Sequence, residues 1–469
     1  MNYRKETEVN EYPTLPSGPQ FRIDSRSMGV KLIVVCGLAV SMTIPAFFVE
    51  GLVNDRTTRA ADVVRQISAI SGGQQTFLGP TLAIPYKTAN ARKRDIYLVF
   101  PSVASAALKT VTEERRRSLF KVPVFQADVK LDAAFDLTGV PAAAPPGAEL
   151  DWDRAELVVG VSDARGALPD AMLTADGKTT TLVPAQIAPD ITIGGDQSGH
   201  IKLTLLGTRI ASLAKPDARF NVTSSLRFSG AQRIAVLSYG KTSHLSAQGD
   251  WPSPGFDGGF LPTRRTIARN GFSAEWSVPF IARGVRAEGP GDSLAGLEAT
   301  GLGTSFIEVA DPYQSVSRSL KYVLLFLGLI FLSYFVFEVA TGKRVHPAQY
   351  ILVGIAQIIF YLLLLSLAER IGFDWGFLLA GIATVSLLST NAGWVFSSRV
   401  QGGRALATFA LLYAVIYLLL RAEDNALLVG AIASFLAVAA TMYLTRRIDW
   451  YSPLAVSDAP AQPIAPPLP

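Results

Sequence analysis

Six apolar stretches without Asp, Glu, Lys or Arg constrain the fold of this chain more than any other feature. The first covers residues 32–49, and the others crowd the last third of the sequence, at 322–337, 347–368, 375–398, 405–420 and 425–445. A helix needs about 20 apolar residues to cross a bilayer. The two shortest stretches reach that length if charged residues at their ends extend toward the interface: Lys321, Glu338, Arg404 and Arg421. We therefore predict six transmembrane helices, one followed much later by five.

The composition excludes several classes of protein. Only 17% of the 469 residues are charged, against about 25% in soluble domains, so an ordinary soluble enzyme is disfavoured. The net charge of +5 is too small for a dedicated nucleic-acid binder, and we predict no nucleic-acid partner. The single Cys excludes an intramolecular disulfide and a cysteine-based metal site.

Lysine and arginine residues predict the orientation of the helices, because cytoplasmic loops carry an excess of them. The N-terminal tail is basic, and so are the segments that share its side of the membrane if six helices cross, whereas each opposite turn holds one Arg. We predict a multi-pass membrane protein with both termini cytoplasmic. The 28-residue tail and the lack of an A-x-A site favour a retained first helix over a cleaved signal peptide.

The long segment after the first helix is predicted to be β-rich and to lie on the side of the membrane opposite the termini. Residues 51–70 have helix-like spacing and predict a helical stalk that ends at Gly72 and Gly73. Alternation of apolar and polar residues then predicts strands with one buried face at 125–135, 157–161 and 272–280. These patterns predict a mainly β domain, for which two similar sandwich-like halves are one arrangement.

The predicted fold class is therefore a membrane protein with α and β parts, in which a large, mainly β domain on the far side of the membrane follows the first of six transmembrane helices. Its divisions are a cytoplasmic tail, a first transmembrane helix, the β-rich domain with its stalk, a five-helix bundle and a disordered Pro-rich cytoplasmic tail. They cover residues 1–28, 29–50, 51–318, 319–448 and 449–469.

No residue set forms a convincing catalytic or metal site, so we predict no enzymatic activity, catalytic residue, metal or cofactor. Ser293 lies in a GDSL sequence, but the only later histidine, His346, is predicted on the other side of the membrane. His200 and His244 lack the spacing of zinc ligands. Two basic triplets, 92–94 and 115–117, adjoin acidic residues and are interpreted as solvated turns.

One loop, residues 250–262, combines a Trp, two Phe and three Pro and precedes two arginines. A rigid, partly buried connector accounts for this composition. Aromatic residues beside arginine also form recognition surfaces, so we name one candidate partner-binding surface: Trp251, Phe256, Arg264 and Arg265.

Ion-coupled transporters place charged residues near the bilayer midplane. The five predicted helices of the bundle have no charged residue in their central parts. Glu338 and Asp374 lie at the predicted helix ends, and hydroxyls and Gln357 supply the remaining polar groups. We expect these groups to form hydrogen bonds between helices.

Several long stretches resemble the CreD family of bacterial cell-envelope integrity proteins. They include 79–86 (GPTLAIPY), 119–125 (LFKVPVF), the loop 250–262, 346–350 (HPAQY) and 442–450 (MYLTRRIDW). The resemblance covers nearly all of the chain beyond residue 50. It implies a multi-pass component of the bacterial inner membrane in Gram-negative cells, so the β-rich domain 51–318 is expected in the periplasm. It also implies a role in envelope maintenance and stress response, and it implies no catalytic residues.

We therefore expect a protein that supports envelope integrity by binding an unidentified periplasmic partner, with the lipid bilayer and a second copy of the chain as further partners. The alternative is a transporter or lipid-handling membrane protein whose periplasmic domain acts as receptor or gate.

Overall fold

A computed structural model describes most of the chain. The described residues are 28–88, 95–117, 120–168, 171–188, 190–193, 200–291, 296–306, 312–421 and 426–446. They divide into two compact units. The helical unit comprises Met1–Asn54 and Pro312–Pro469, and the β unit comprises Asp55–Asp311. The predicted tails and the segments with Ser293 and the triplet 92–94 lie outside the described residues.

The helices follow the apolar stretches of the sequence. They are α1 (Met28–Ser41), α2 (Thr43–Ile70), α3 (Val140–Ala143), α4 (Phe280–Arg283), α5 (Pro312–Lys321), α6 (Val323–Thr341), α7 (Pro347–Ile371), α8 (Phe373–Val395), α9 (Arg399–Arg421) and α10 (Ala426–Thr445). Helix α2 continues without a break from the apolar segment through the predicted stalk. His346 begins α7 by accepting the Ala348 N–H with its side chain, and Pro347 occupies the first turn, where no N–H is needed.

Five of the six predicted membrane spans have a counterpart among the long apolar helices of the described residues. Within the described residues, five helical segments are long and apolar enough to cross a membrane: Gly29–Ile70, Val323–Thr341, Pro347–Ile371, Phe373–Val395 and Arg399–Arg421. The sixth predicted span corresponds to α10, whose apolar part, Gly430–Tyr443, is shorter. The sixth span therefore stays a prediction.

The β unit contains the strands of the fold. They are β1 (Gln75–Thr88), β2 (Asp95–Val99), β3 (Val103–Arg117), β4 (Phe120–Asp136), β5 (Ala148–Leu150), β6 (Glu156–Val161), β7 (Met172–Ala175), β8 (Lys178–Thr181), β9 (Val183–Pro184), β10 (Asp190–Ile193), β11 (Ile201–Arg209), β12 (Arg219–Ala231), β13 (Arg233–Leu237), β14 (Thr242–Gly249), β15 (Pro254–Gly258), β16 (Arg264–Ala268), β17 (Gly271–Val278), β18 (Glu288–Pro290) and β19 (Gly301–Phe306).

Two sheets are formed by the described strands. The first has eleven strands, with β10-β11-β6-β1-β13-β19-β15 as its main order, and the second has eight, in the order β16-β17-β14-β3-β4-β12-β7-β8. Most neighbours are antiparallel, but β1 pairs with β13 and β3 pairs with β14 in parallel. In each of these parallel pairs, a strand from the first half of the β unit's sequence lies beside a strand from its second half.

The two sheets share one hydrophobic core. Across it, the rings of Phe77 and Phe228 meet edge-on at 5.2 Å, and those of Phe125 and Phe306 lie 5.1 Å apart. Buried residues from strands of both sheets belong to the same cluster. The β unit is therefore a single two-sheet sandwich, and the expectation of two similar halves is not how its strands are arranged.

The predicted alternation is visible in β4, where buried and exposed side chains alternate from Phe125 onward. Strand β6 differs, because all six of its residues are buried although the pattern predicted one buried face. It lies between β1 and β11 inside the larger sheet. Even Glu156 is buried, and its carboxylate accepts the N–H groups of Gln186 and Ile187 at 3.0 and 3.3 Å.

The link between α2 and β1 depends on glycine. Gly72 has a φ of 89°, and a Cβ placed on it would lie 2.5 Å from the Cα of Gly166. An L-residue there would be strained and would collide with backbone. The Gln75 side chain closes the link by donating to the carbonyl oxygens of Gly72 and Asp163, at 2.6 and 3.0 Å.

Candidate functional site

Strand β16 forms an exposed edge of the eight-stranded sheet. It pairs with β17 on one side, and all five of its residues are exposed. The guanidinium of Arg264 lies 3.2 Å from the carboxylate of Glu275, but both side chains are more than half exposed. Such a pair contributes little to stability. The adjacent exposed Arg265 leaves this edge with an excess of positive charge.

Trp251 and Phe256, which the sequence grouped with these arginines, have a different role. Both are half-buried. The Trp251 ring meets Phe306 edge-on at 6.2 Å, and the Phe256 ring meets Phe272 and Trp276 at 6.0 and 5.8 Å. Their rings hold β15 and the adjoining loop against the core, so the structure separates the predicted surface into packed aromatics and exposed arginines.

Exposed apolar residues lie near the start of the same edge strand. Leu261 is 73% exposed, Phe280 46% and Ile281 92%. The sequence pattern placed Phe280 on the buried face of a strand that continued to residue 280, and that placement is wrong. Strand β17 ends at Val278, and Pro279 is the N-cap of the short helix α4, because proline has no backbone N–H to donate to the sheet.

A buried arginine fixes this apolar turn to the domain. Arg283, the last residue of α4, is 3% exposed and donates from Nε to the Ser238 carbonyl at 2.8 Å. Its guanidinium lies 4.2 Å from the centre of the Phe100 ring. Burial lowers the pKa of Arg283 to about 10. The sequence did not single out Arg283.

These features form one candidate surface, which we call the β16 surface and define by five exposed residues: Leu261, Arg264, Arg265, Phe280 and Ile281. Because β16 and β17 are antiparallel, the start of β16 and the end of β17 lie at the same end of the sheet. The surface therefore combines a strand edge, two positive charges and three apolar side chains.

A second polar site lies within the helical unit, where Glu338 of α6 is 2% exposed. Its carboxylate accepts the Lys31 ammonium, the Val345 N–H at 2.8 Å and the Tyr350 hydroxyl at 2.9 Å. Lys31 also donates to the Val345 carbonyl at 2.8 Å. The sequence expected Glu338 to extend outward from a helix end and did not consider Lys31, which precedes the first uncharged stretch.

Other buried polar groups of the bundle also pair between helices. The Tyr413 hydroxyl donates to Gln357 at 2.9 Å, and the Tyr334 hydroxyl donates to the Leu388 carbonyl at 3.1 Å. Asn391 donates to the Tyr334 oxygen at 3.0 Å. The bond to Gln357 agrees with the expectation, whereas Thr384 donates to the Ala380 carbonyl of its own helix at 2.9 Å. The tyrosine contacts connect α6 to α8 and α7 to α9.

The remaining candidate residues are not brought together. His200 and His244 are exposed, and His244 lies on β14 between Ser105 and Ser277. Among the described residues, no group of three or more His, Cys, Asp or Glu could hold a metal ion. The triplet 115–117 ends β3, where Arg115 pairs with Glu113 and Arg116 with Glu114, at 3.3 and 3.7 Å.

Two comparisons with known proteins identify the same family. The family profile described as "Inner membrane protein CreD" matches residues 27–451. The Inner membrane protein CreD of Escherichia coli (strain K12) is 30% identical over 443 residues, which cover 90% of this chain and 93% of that protein.

Proposed function

This chain belongs to the CreD family of inner membrane proteins, and from that membership we propose that it supports cell-envelope integrity and the envelope stress response by binding a partner through its β domain. It is a multi-pass protein of the inner membrane. We further propose that the β domain lies in the periplasm with both termini in the cytoplasm, as the distribution of Lys and Arg favours.

The β16 surface is the observation that carries the partner-binding proposal. Proteins usually protect an edge strand, because its unpaired backbone groups can pair with another chain. Here the edge adjoins Phe280 and Ile281, whose exposed apolar side chains are typical of interaction sites. An extended protein segment could add to β16 through backbone hydrogen bonds, with acidic side chains opposite Arg264 and Arg265.

The proposed role needs no catalytic group. In this role the helical unit anchors the β domain to the membrane. The ion pair of Lys31 and Glu338 and the pair of Gln357 and Tyr413 bind helices to one another. These contacts support anchoring by the bundle.

Site-specific photocrosslinking of the full-length protein in living cells tests the proposal. A photoreactive amino acid is placed at Arg265 or Ile281, and the matched control is Thr180 on β8, the opposite and equally exposed edge of the same sheet. We expect one reproducible adduct from the first two positions and none from the third. Equal adducts from all three positions, or none from the first two, would contradict the proposal.

Growth in the presence of envelope-damaging agents tests whether the β16 surface is needed for the proposed role in envelope integrity. In a strain that lacks the chromosomal copy, the double variant Arg264→Glu with Arg265→Glu should lose protection against detergent and cell-wall antibiotics. The control variant Lys178→Glu reverses a charge on the opposite edge and should protect like the wild type. Full protection by the double variant at normal abundance would show that the β16 surface is not needed.

A further inference from the structure

A groove of about 570 Å³ opens between α8 and α9 of the helical unit. Most of its lining is apolar, and Leu378, Ile382 and Leu406 on its walls are each about half exposed. Gly381 deepens the groove, since an added Cβ would lie 3.3 Å from the Tyr413 ring. Both helices are long and apolar enough to span a membrane, so the groove lies among acyl chains.

The dimensions of the groove match one lipid chain. Its lining on α8 runs from Asp374 to Ser386, a helical length of about 18 Å at 1.5 Å per residue. One leaflet of the hydrocarbon core is about 15 Å deep. The volume also lies within the range of about 300–1,000 Å³ that is typical of small-molecule sites.

A pair of opposite charges lies at one end of the groove. Asp374 is in the first turn of α8, and Arg421 is the last residue of α9. The Asp374 carboxylate accepts the Arg421 guanidinium and, at 3.1 Å, the Tyr417 hydroxyl. The Asp374 and Arg421 side chains are 49% and 57% exposed, so both charges can still contact a ligand.

We propose that this groove binds one phospholipid whose headgroup is zwitterionic and carries a primary ammonium. One acyl chain lies along the groove, the phosphate contacts Arg421 and the ammonium contacts Asp374. The net neutral pair of side chains complements a net neutral headgroup, whereas the Asp374 carboxylate repels a lipid that carries only negative charge. A quaternary ammonium cannot donate a hydrogen bond to Asp374, so the primary amine is preferred. This site is independent of the role proposed for the β domain.

Native mass spectrometry of the full-length protein tests the proposal. The protein is reconstituted in nanodiscs that contain equal amounts of phosphatidylethanolamine, phosphatidylcholine and phosphatidylglycerol with the same acyl chains. We expect one retained phosphatidylethanolamine per chain, about tenfold preferred over phosphatidylcholine, as one charge-assisted hydrogen bond would give. Equal retention of the three lipids, or a preference for phosphatidylglycerol, would overturn the proposal.

Two variants of groove residues and two control variants test whether the retained lipid binds in the groove between α8 and α9. Asp374→Asn should remove the preference for phosphatidylethanolamine, and Ala414→Phe should fill the groove from its exposed α9 wall and lower retention of every lipid. Arg404→Gln changes an exposed charge near the other end of α9, and Gly328→Leu adds a side chain where a Cβ meets nothing within 4 Å. Both controls should retain lipid like the wild type. Unchanged retention by a folded, monodisperse Ala414→Phe protein would overturn the proposal.

Discussion

Lys31 and Glu338 depend on each other, because each would be an uncompensated charge in an apolar surrounding if the other were removed. Glu338 uses both carboxylate oxygens, accepting Lys31 and Val345 on one and Tyr350 on the other. Three chain segments meet at this carboxylate: α1, α6 and the start of α7. The pair therefore fixes the first helix to the bundle.

A double-mutant cycle at Lys31 and Glu338 should show this dependence. We expect Glu338→Gln or Lys31→Met alone to lower the free energy of unfolding by about 3–5 kcal/mol, because the partner charge stays buried. The double variant Lys31→Met with Glu338→Gln should lose much less than the sum of the two single losses, since no charge remains. Unfolding of the purified protein in mixed micelles measures the three values, and purely additive losses would contradict the dependence.

Arg283 is a buried charge of the β domain, and it holds α4 in place. We expect Arg283→Ala to lower the free energy of unfolding by about 1–3 kcal/mol, because the Ser238 carbonyl loses its donor. The exposed Arg286→Ala is the matched control and should change stability little. Thermal unfolding measures both variants, and the Arg283 variant should also lose the crosslink from Ile281. An equal effect of the two variants would show that Arg283 is not an anchor.

At the scale of elements, hydrophobic pattern predicts most helices and several strands but misses features set by single residues. The uncharged runs anticipate α6 to α9 within a few residues, since a spanning helix needs a continuous apolar sequence. The alternation of apolar and polar residues predicted that β17 continues past Val278 to Phe280, whereas Pro279 ends the strand. The buried Glu338 was also missed, because a pattern of residue types does not show which helix lies opposite.

The junction of α2 and β1 gives an element-scale prediction. We expect Gly72→Ala to destabilise the β domain by more than the roughly 1–3 kcal/mol of backbone strain, since its Cβ would lie 2.5 Å from the Gly166 Cα. The control Gly147→Ala also has a positive φ, of 75°, but its Cβ would meet nothing within 4 Å. Comparison of the two melting temperatures isolates the collision, and equal losses would contradict the close approach.

At the scale of the whole molecule, the order of the parts could be read from the sequence, but the organisation of the β domain could not. Gln75 of β1 lies opposite Ile234 of β13, and Val103 of β3 lies opposite Thr242 of β14. Alternation shows that a strand has a buried face and not which distant strand lies beside it. The single core shared by the two sheets depends on these long-range pairs.

Sidedness is the claim on which the proposed envelope function depends most directly, and cysteine labelling of the full-length protein tests it. In a Cys36→Ser background, the exposed Thr180 of the β domain or the exposed Ser397 between α8 and α9 is replaced by cysteine. With the inner membrane intact and the outer membrane permeabilised, an impermeant maleimide should label the Thr180→Cys protein and spare the Ser397→Cys protein. Lysis of the inner membrane should then expose the second position. The reverse pattern in intact cells, with Ser397→Cys labelled and Thr180→Cys protected, would place the β domain in the cytoplasm and contradict the account.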